Sequence, residues 1–215
     1  MDHLTSQQIL DAGLADWRKL AQALHARFLT RSFGTGLAFV TAVTEVAERV
    51  NHHPDVKLTY PFVDVALFSH DVGGVTQRDL DLAARISEIA RERGISADPR
   101  AVIELELALD TADLAAVGPF WAAVLTGSPD SIDGDDIVDR SGRTPLLWFQ
   151  HTEAHEIPRQ RFHVDLWVPH DLAHERIAAA VAAGGQVIDE TRAPSFVVLA
   201  DPEGNRVCVC TFLER

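Results

Sequence analysis

A chain of 215 residues, 47% hydrophobic and 24% charged, has an ordinary globular balance and is long enough for one large domain or two small ones. Its formal charge of −13 argues against binding a nucleic-acid backbone or an anionic membrane surface, since both need clustered Lys and Arg. No run of about 18 apolar residues predicts a transmembrane helix. The opening residues lack the basic and apolar segments of a signal peptide. Cys208 and Cys210 are the only cysteines, which fits a reducing cytoplasm rather than a disulfide framework.

In chain order, capping residues from Thr5 predict a helix over 5–15. Residues 17–29 have helical apolar spacing and no strand alternation, so their state stays open. Val40, Val43, Ala47 and Val50 recur at three and four, predicting an amphipathic helix over 36–50 that Pro54 stops. Residues 57–70 read as a strand, with Val63, Val65 and Leu67 alternating against Asp64 and Ala66. Thr76 caps a helix to about Arg93, with Leu80, Leu82, Ala83, Ile86 and Ile89 as its buried stripe. Residues 95–100 read as a linker, with Gly94 before it and Pro99 inside it, and the domain boundary is placed there.

The second half repeats itself. A strand, loop and helix open at Leu107, and a similar unit opens at Leu166, about 59 residues later. Each helix is followed by glycine, Gly127 in one and Gly184 and Gly185 in the other. The second unit closes in a hairpin whose turn is residues 201–205. Two βαβββ-like units predict a pseudo-twofold sheet enclosing a cleft.

Three of the ten histidines, His52, His53 and His70, fall within nineteen positions beside Glu48 and Asp79. Imidazoles titrate near neutrality, so such a group suits proton transfer. Glu48 and His52 are four apart and read as sharing a helix face. On spacing alone a second reading stands beside catalysis: histidines stabilised by a helix C-terminal dipole, with Asp79 a first-turn helix acid. Metal binding by the three histidines is disfavoured, because adjacent histidines rarely converge on one ion.

The order Glu48, three residues, His52-His53-Pro54, five residues, Tyr60, nine residues, His70, eight residues, Asp79 resembles the signature of the pterin-4a-carbinolamine dehydratases. Trp17, Phe28, Phe33 and the segment 71–76 add to the resemblance, which covers roughly residues 4–94. It implies an α+β domain over 1–96, with a four-stranded antiparallel sheet, helices on one face and strand in part of 17–29. It also implies a lyase that removes water from a 4a-hydroxytetrahydropterin such as 4a-hydroxytetrahydrobiopterin, without metal or cofactor. By this resemblance His53 and His70 are the acid/base pair, His52 orients substrate, and Glu48 holds an imidazole or contacts the pterin. Tyr60, Pro54 and Asp79 are then substrate-binding residues. The family also implies a small-molecule pterin partner and a homo-oligomer.

Residues 101–215 resemble the glyoxalase-like branch of the vicinal-oxygen-chelate superfamily, on segments 113–121, 161–166 and 199–205 and on the paired repeat. Such domains often bind a divalent metal with one ligand from each of four strands. His163, Glu106 (or Glu104, two residues away) and Cys208 stand at matching positions, Cys208 where glutamate is usual. The strand around Trp148 and Gln150 offers no carboxylate. With two of four ligands missing or altered, the expectation is a metal-free polar pocket around His163 and Asp165. Two alternatives to the dehydratase reading stay open: a metal-dependent enzyme built on the second half, and a non-catalytic oligomeric scaffold.

Overall fold

Thr5 and Gln8 exchange hydrogen bonds as a capping box and start helix α1 (Ser6–Asp11). The computed structural model describes residues 3–126, 128–142, 144–154, 162–182, 185–200 and 206–214. The stretch left open between helix and strand is a hairpin, β1 (Arg18–Leu20) and β2 (Ala23–Leu29), turned at Ala21 with φ 44°. Along β2, Leu24, Ala26 and Phe28 alternate inward, so pairing and burial override the local helical spacing.

Ser32 caps α2 (Phe33–Val50). Its buried stripe runs Gly36, Phe39, Ala42, Val43, Val46 and Ala47, rotated from the expected one; Val50 is 56% exposed. Gly36 is needed here, because a Cβ would lie 2.5 Å from Leu58 Cδ1. The strand expected over 57–70 is two strands, β3 (Asp55–Leu58) and β4 (Val63–Leu67), antiparallel and joined where Thr59 donates through both N–H and Oγ to the Phe62 carbonyl. Helix α3 (Gln77–Glu92) follows its Thr76 cap, and its expected apolar stripe is buried throughout.

Residues 95–100 are docked rather than a free linker. Ile95 is buried, and β5 (Ser96–Ala97) pairs with Phe28 and Leu29 of β2. The first sheet is therefore five-stranded, β1-β2-β4-β3 with β5 on the far end of β2, and antiparallel throughout. The fifth strand beyond the expected four is this two-residue β5. Val63, Val65 and Leu67 share one core with residues of α2 and α3, which places both helices on one face. Phe28 meets Phe39 in a tilted contact at 5.0 Å and Trp17 edge-on at 6.0 Å between ring centroids. Each such fully buried large side chain contributes roughly 1.5–3 kcal/mol.

The second half builds β6 (Glu104–Thr111), α4 (Leu114–Thr126), β7 (Ile132–Asp133), β8 (Asp136–Ile137) and β9 (Leu147–His151). It then repeats as β10 (Phe162–Trp167), α5 (Ala173–Ala182), β11 (Gln186–Asp189), β12 (Phe196–Ala200) and β13 (Arg206–Cys210). The eight strands form one sheet in the order β11-β12-β13-β10-β6-β9-β8-β7. β6 and β10 meet antiparallel at its centre, and each is parallel to the last strand of its own repeat, β9 and β13. The expected paired βαβββ organisation is present, and the fold class is α+β. The turn over 201–205, Arg161, Gly127 and Gly184 lie outside the described residues.

By contacts the chain divides into two units. The first takes residues Met1–Ile103 together with Val168–Leu172 and Thr211–Arg215; the second takes Glu104–Trp167 and Ala173–Cys210.

Candidate active site

The histidine pair is placed by the way α2 ends. Asn51 adopts the left-handed conformation at φ 47°, and His52 N–H reaches back to the Ala47 carbonyl at 3.2 Å. This is a Schellman-type termination, in which the left-handed residue turns the chain out of the helix. The helix thus stops at Asn51, and Pro54 leads into β3 instead of stopping α2. The turn changes which histidine faces Glu48. His53, five residues on, has Nε2 3.4 Å from Glu48 Oε1, and both side chains are exposed, at 52% and 69%. His52 turns inward.

His52 Nε2 donates to Asp79 Oδ1 at 2.7 Å. Asp79 is wholly buried, and its Oδ2 accepts from Ser69 Oγ at 2.6 Å, Thr76 N at 2.8 Å and Thr76 Oγ1 at 3.1 Å. A buried carboxylate needs this many donors, since an unpaired buried charge is strongly unfavourable. Asp79 is at once the N3 residue of the α3 capping box and the anchor of His52. The two readings of Asp79 in the sequence are therefore not exclusive. Its carboxylate is enclosed and is taken up by His52, Ser69 and Thr76.

The same carboxylate fixes the loop that carries His70. Ser69 bridges Gly74, and Gly73 at φ 74° closes the turn in a conformation that favours glycine. Arg78 pairs with Asp71 at 2.5 Å and holds its carboxyl below the usual range, chiefly by that hydrogen bond. His3 bonds the Val72 carbonyl. His70 is exposed, with its ring edge-on to Phe68 at 5.0 Å.

Strand register brings these pieces together. Asp55 pairs with Ala66, so the residues just before β3 (His52, His53, Pro54) and just after β4 (Phe68, Ser69, His70) lie at one end of the sheet. Tyr60, 69% exposed, sits in the turn at the opposite end of β3, roughly 13 Å of strand away. The structure therefore does not bring Tyr60 to the histidines of its own chain. A groove of about 710 Å³ in the first unit, lined by Leu14, Asp16, Ser87, Glu88, Arg91 and Ile95 among others, includes none of these histidines.

A second polar group lies in the other unit. His163, Asp165 and Cys208 offer ligand atoms within 4.8 Å of one another. Asp165 pairs with Glu106 on one side and Cys208 on the other. Glu106 is buried and accepts from Trp167 Nε1. Glu104, the other register, is not in the group; burial raises its carboxyl above the usual range. Of the positions that the sequence matched to metal ligands, His163 and Cys208 come together, and the carboxylate that joins them is Asp165. An imidazole, a carboxylate and a thiol are a donor set that fits a zinc-type ion.

Comparison with known proteins matches both parts. Residues 2–89 match the model of pterin 4 alpha carbinolamine dehydratase, and residues 106–210 match that of a glyoxalase-like domain. A protein of Rhodopseudomonas palustris carrying the name pterin-4-alpha-carbinolamine dehydratase is 40% identical over 92 residues, which are 42% of this chain and 90% of that one. One so named from Thermosynechococcus vestitus is 40% identical over 79 residues, 37% of this chain and 83% of its own. The chain belongs to the pterin-4a-carbinolamine dehydratase family. A crystal structure described as a transcriptional coactivator/pterin dehydratase from Brucella melitensis is 31% identical, with TM-score 0.40, and covers 41% of this chain and 99% of that one.

Within this dehydratase-family chain, the sequence reading missed Ser69 and Thr76, the hydroxyl donors that share Asp79 with His52. The available signal was the Thr76 to Asp79 capping-box spacing, in which the Thr76 N–H donates to the same carboxylate. Trp148, which donates to Asp165 Oδ2 at 3.2 Å, was missed as well. Its indole reaches Asp165 across the register of three strands, a contact no local spacing announces.

Proposed function

We propose that this protein removes water from a 4a-hydroxytetrahydropterin, giving the quinonoid dihydropterin. In that step one imidazole takes the proton from ring nitrogen N5, the other delivers a proton to the departing 4a-hydroxyl, and the C4a–O bond breaks. His53 and His70 are the acid/base pair. Glu48 orients His53 from 3.4 Å. His52, clamped on Asp79, positions the turn that presents His53, and Pro54 fixes its exit into β3. The reaction is assigned to residues 1–96, and 101–215 form the glyoxalase-like domain.

The observation that carries this reading is that the β3–β4 register and the shared Asp79 hold the His52-His53 turn and the His70 loop at one sheet end. Both outer imidazoles face solvent there, open to a bicyclic substrate. General acid/base groups are worth about 10²–10⁴-fold. His53→Ala and His70→Ala should therefore each lower turnover of 4a-hydroxytetrahydropterin at least about 100-fold. Near-wild-type turnover in both variants would remove the mechanism.

Self-association is part of the same proposal. Phe33 and Leu37, one turn apart on α2, are 51% and 54% exposed, an apolar pair that suits a protein partner. Sedimentation of the full chain tests it. No helix of the described residues is long and apolar enough to cross a membrane. Cys208 and Cys210 form no disulfide, which supports placement in a reducing cytoplasm.

A further inference from the structure

We propose that His3 is a positioning residue for His70: the segment before α1 clasps the loop over residues 70–75 and sets where the His70 imidazole stands. This role rests on the dehydration reading for its chemistry but not for its geometry.

Three observations carry it. The first is how His70 is held. Its side chain is exposed and meets Phe68 edge-on, so the backbone of the loop governs its place. At its base the loop closes on itself. Val72 and Gly73 N–H donate to the Ser69 carbonyl at 3.0 and 2.9 Å, and Ser69 N–H donates to the Gly74 carbonyl at 3.0 Å. Ser69 is tied in turn to buried Asp79.

The second is a pair of bonds from outside the loop. His3 Nε2–H donates to the Val72 carbonyl, and Leu4 N–H donates to the Val75 carbonyl at 2.9 Å. Val72 and Val75 flank Gly73 and Gly74, so the two bonds hold both sides of the glycine pair. The clasp has a firm root. Thr5 opens the α1 capping box, and Ile9 of that helix is buried in the first core.

The third is Gly74. A Cβ there would lie 2.9 Å from His3 Nδ1, 3.0 Å from its Cε1 and 3.3 Å from its Cγ, so the imidazole rests against the Gly74 backbone. Gly73 is favoured by its φ of 74°, whereas Gly74 has no left-handed φ. What glycine supplies at 74 is room for the ring. His3 therefore touches the loop and not the reacting atoms. A general acid or base misplaced by about 1 Å can lose roughly 100-fold in rate.

The test is a set of variants of the full chain. His3→Ala should lower kcat at least about fivefold and leave KM within about twofold, since it loosens an imidazole and not a substrate contact. In the same variant the Ser69, Val72 and Gly73 amides should exchange at least about fivefold faster, the factor that one lost hydrogen bond sets, with α2 and α3 amides unchanged. His3→Gln places an amide N–H at the reach of Nε2 and should restore both readouts. His3→Asn, one bond shorter, should not. Gly74→Ala expels the ring, so it should match His3→Ala and add little when combined with it. Thermal melts confirm that each variant is folded, and where Gly74→Ala does not fold, the His3 series decides. Loop exchange unchanged in His3→Ala overturns the clasp whatever the turnover. Faster exchange with kcat unchanged, or a loss that His3→Gln does not restore, overturns the positioning role. Failure of the dehydration reading is distinct: the wild-type chain then turns over no 4a-hydroxytetrahydropterin. In that case the His70 Cε1–H proton resonance decides, which should move in His3→Ala and return in His3→Gln; a resonance that stays put overturns the positioning role.

Discussion

Asp79 shows how one side chain can join a helix cap to a histidine from another element. It accepts from His52, Ser69 and Thr76 and caps α3, so replacing it with asparagine halves its accepting power. Asp79→Asn should cost about 1–3 kcal/mol in urea denaturation. It should also lower kcat more than it raises KM, because it disturbs the positioning of imidazoles and not a substrate contact. His25 makes a different prediction. Burial first, and Lys19 second, lower its pKa to about 4 from 6.5, so it is neutral in the folded protein near pH 5 while the unfolded chain takes up a proton. Stability from this group is full above pH 6.5 and is lost as pH falls toward 4. Its slope reaches about 1.4 kcal/mol per pH unit. His25→Gln should remove that slope, as read by urea midpoints across the interval. The proposed acid/base set rests on family resemblance, since spacing alone left a purely structural reading of these histidines open. That His52 turns inward and His53 outward was not legible in the sequence, since it depends on one backbone conformation.

That conformation belongs to an element, the C-terminus of α2. Asparagine tolerates the left-handed region, whereas a residue with an ordinary side chain there costs about 1–2 kcal/mol. Asn51→Ala should destabilise the first unit by about that amount, and Asn51→Gly should restore it, in paired thermal melts. Because the turn aims His53 at Glu48, the alanine variant should also lose turnover. At this scale the sequence was readable where periodicity was long: the stripe of α3 is buried residue for residue. It was unreadable where elements are short. The two strands of 18–29 and the two residues of β5 exist because partners across the sheet bury Leu24, Ala26 and Phe28. Cross-strand pairing of this kind leaves little trace in local spacing.

Across the whole molecule, the paired repeat was legible because each copy has the same strand-loop-helix opening, and the sheet order confirms it by reading alike from either end. Less legible was that the first unit takes in stretches from late in the chain. Phe212 lies in its core, 6% exposed, and Ser6 Oγ donates to the Phe212 carbonyl at 3.1 Å. Arg18 pairs with Asp171 through two nitrogens, at 3.0 and 2.8 Å. Phe212→Ala should cost the first unit about 3 kcal/mol, measured by hydrogen exchange of the α2 and α3 amides.

Phe212 therefore imposes a timetable on synthesis. During translation, β1 to β5 leave the ribosome long before residue 212 does, so the nascent sheet waits with an apolar gap in its core cluster. Closing so distant a contact is slow. In that interval chaperones and proteases can reach a surface that the finished protein hides.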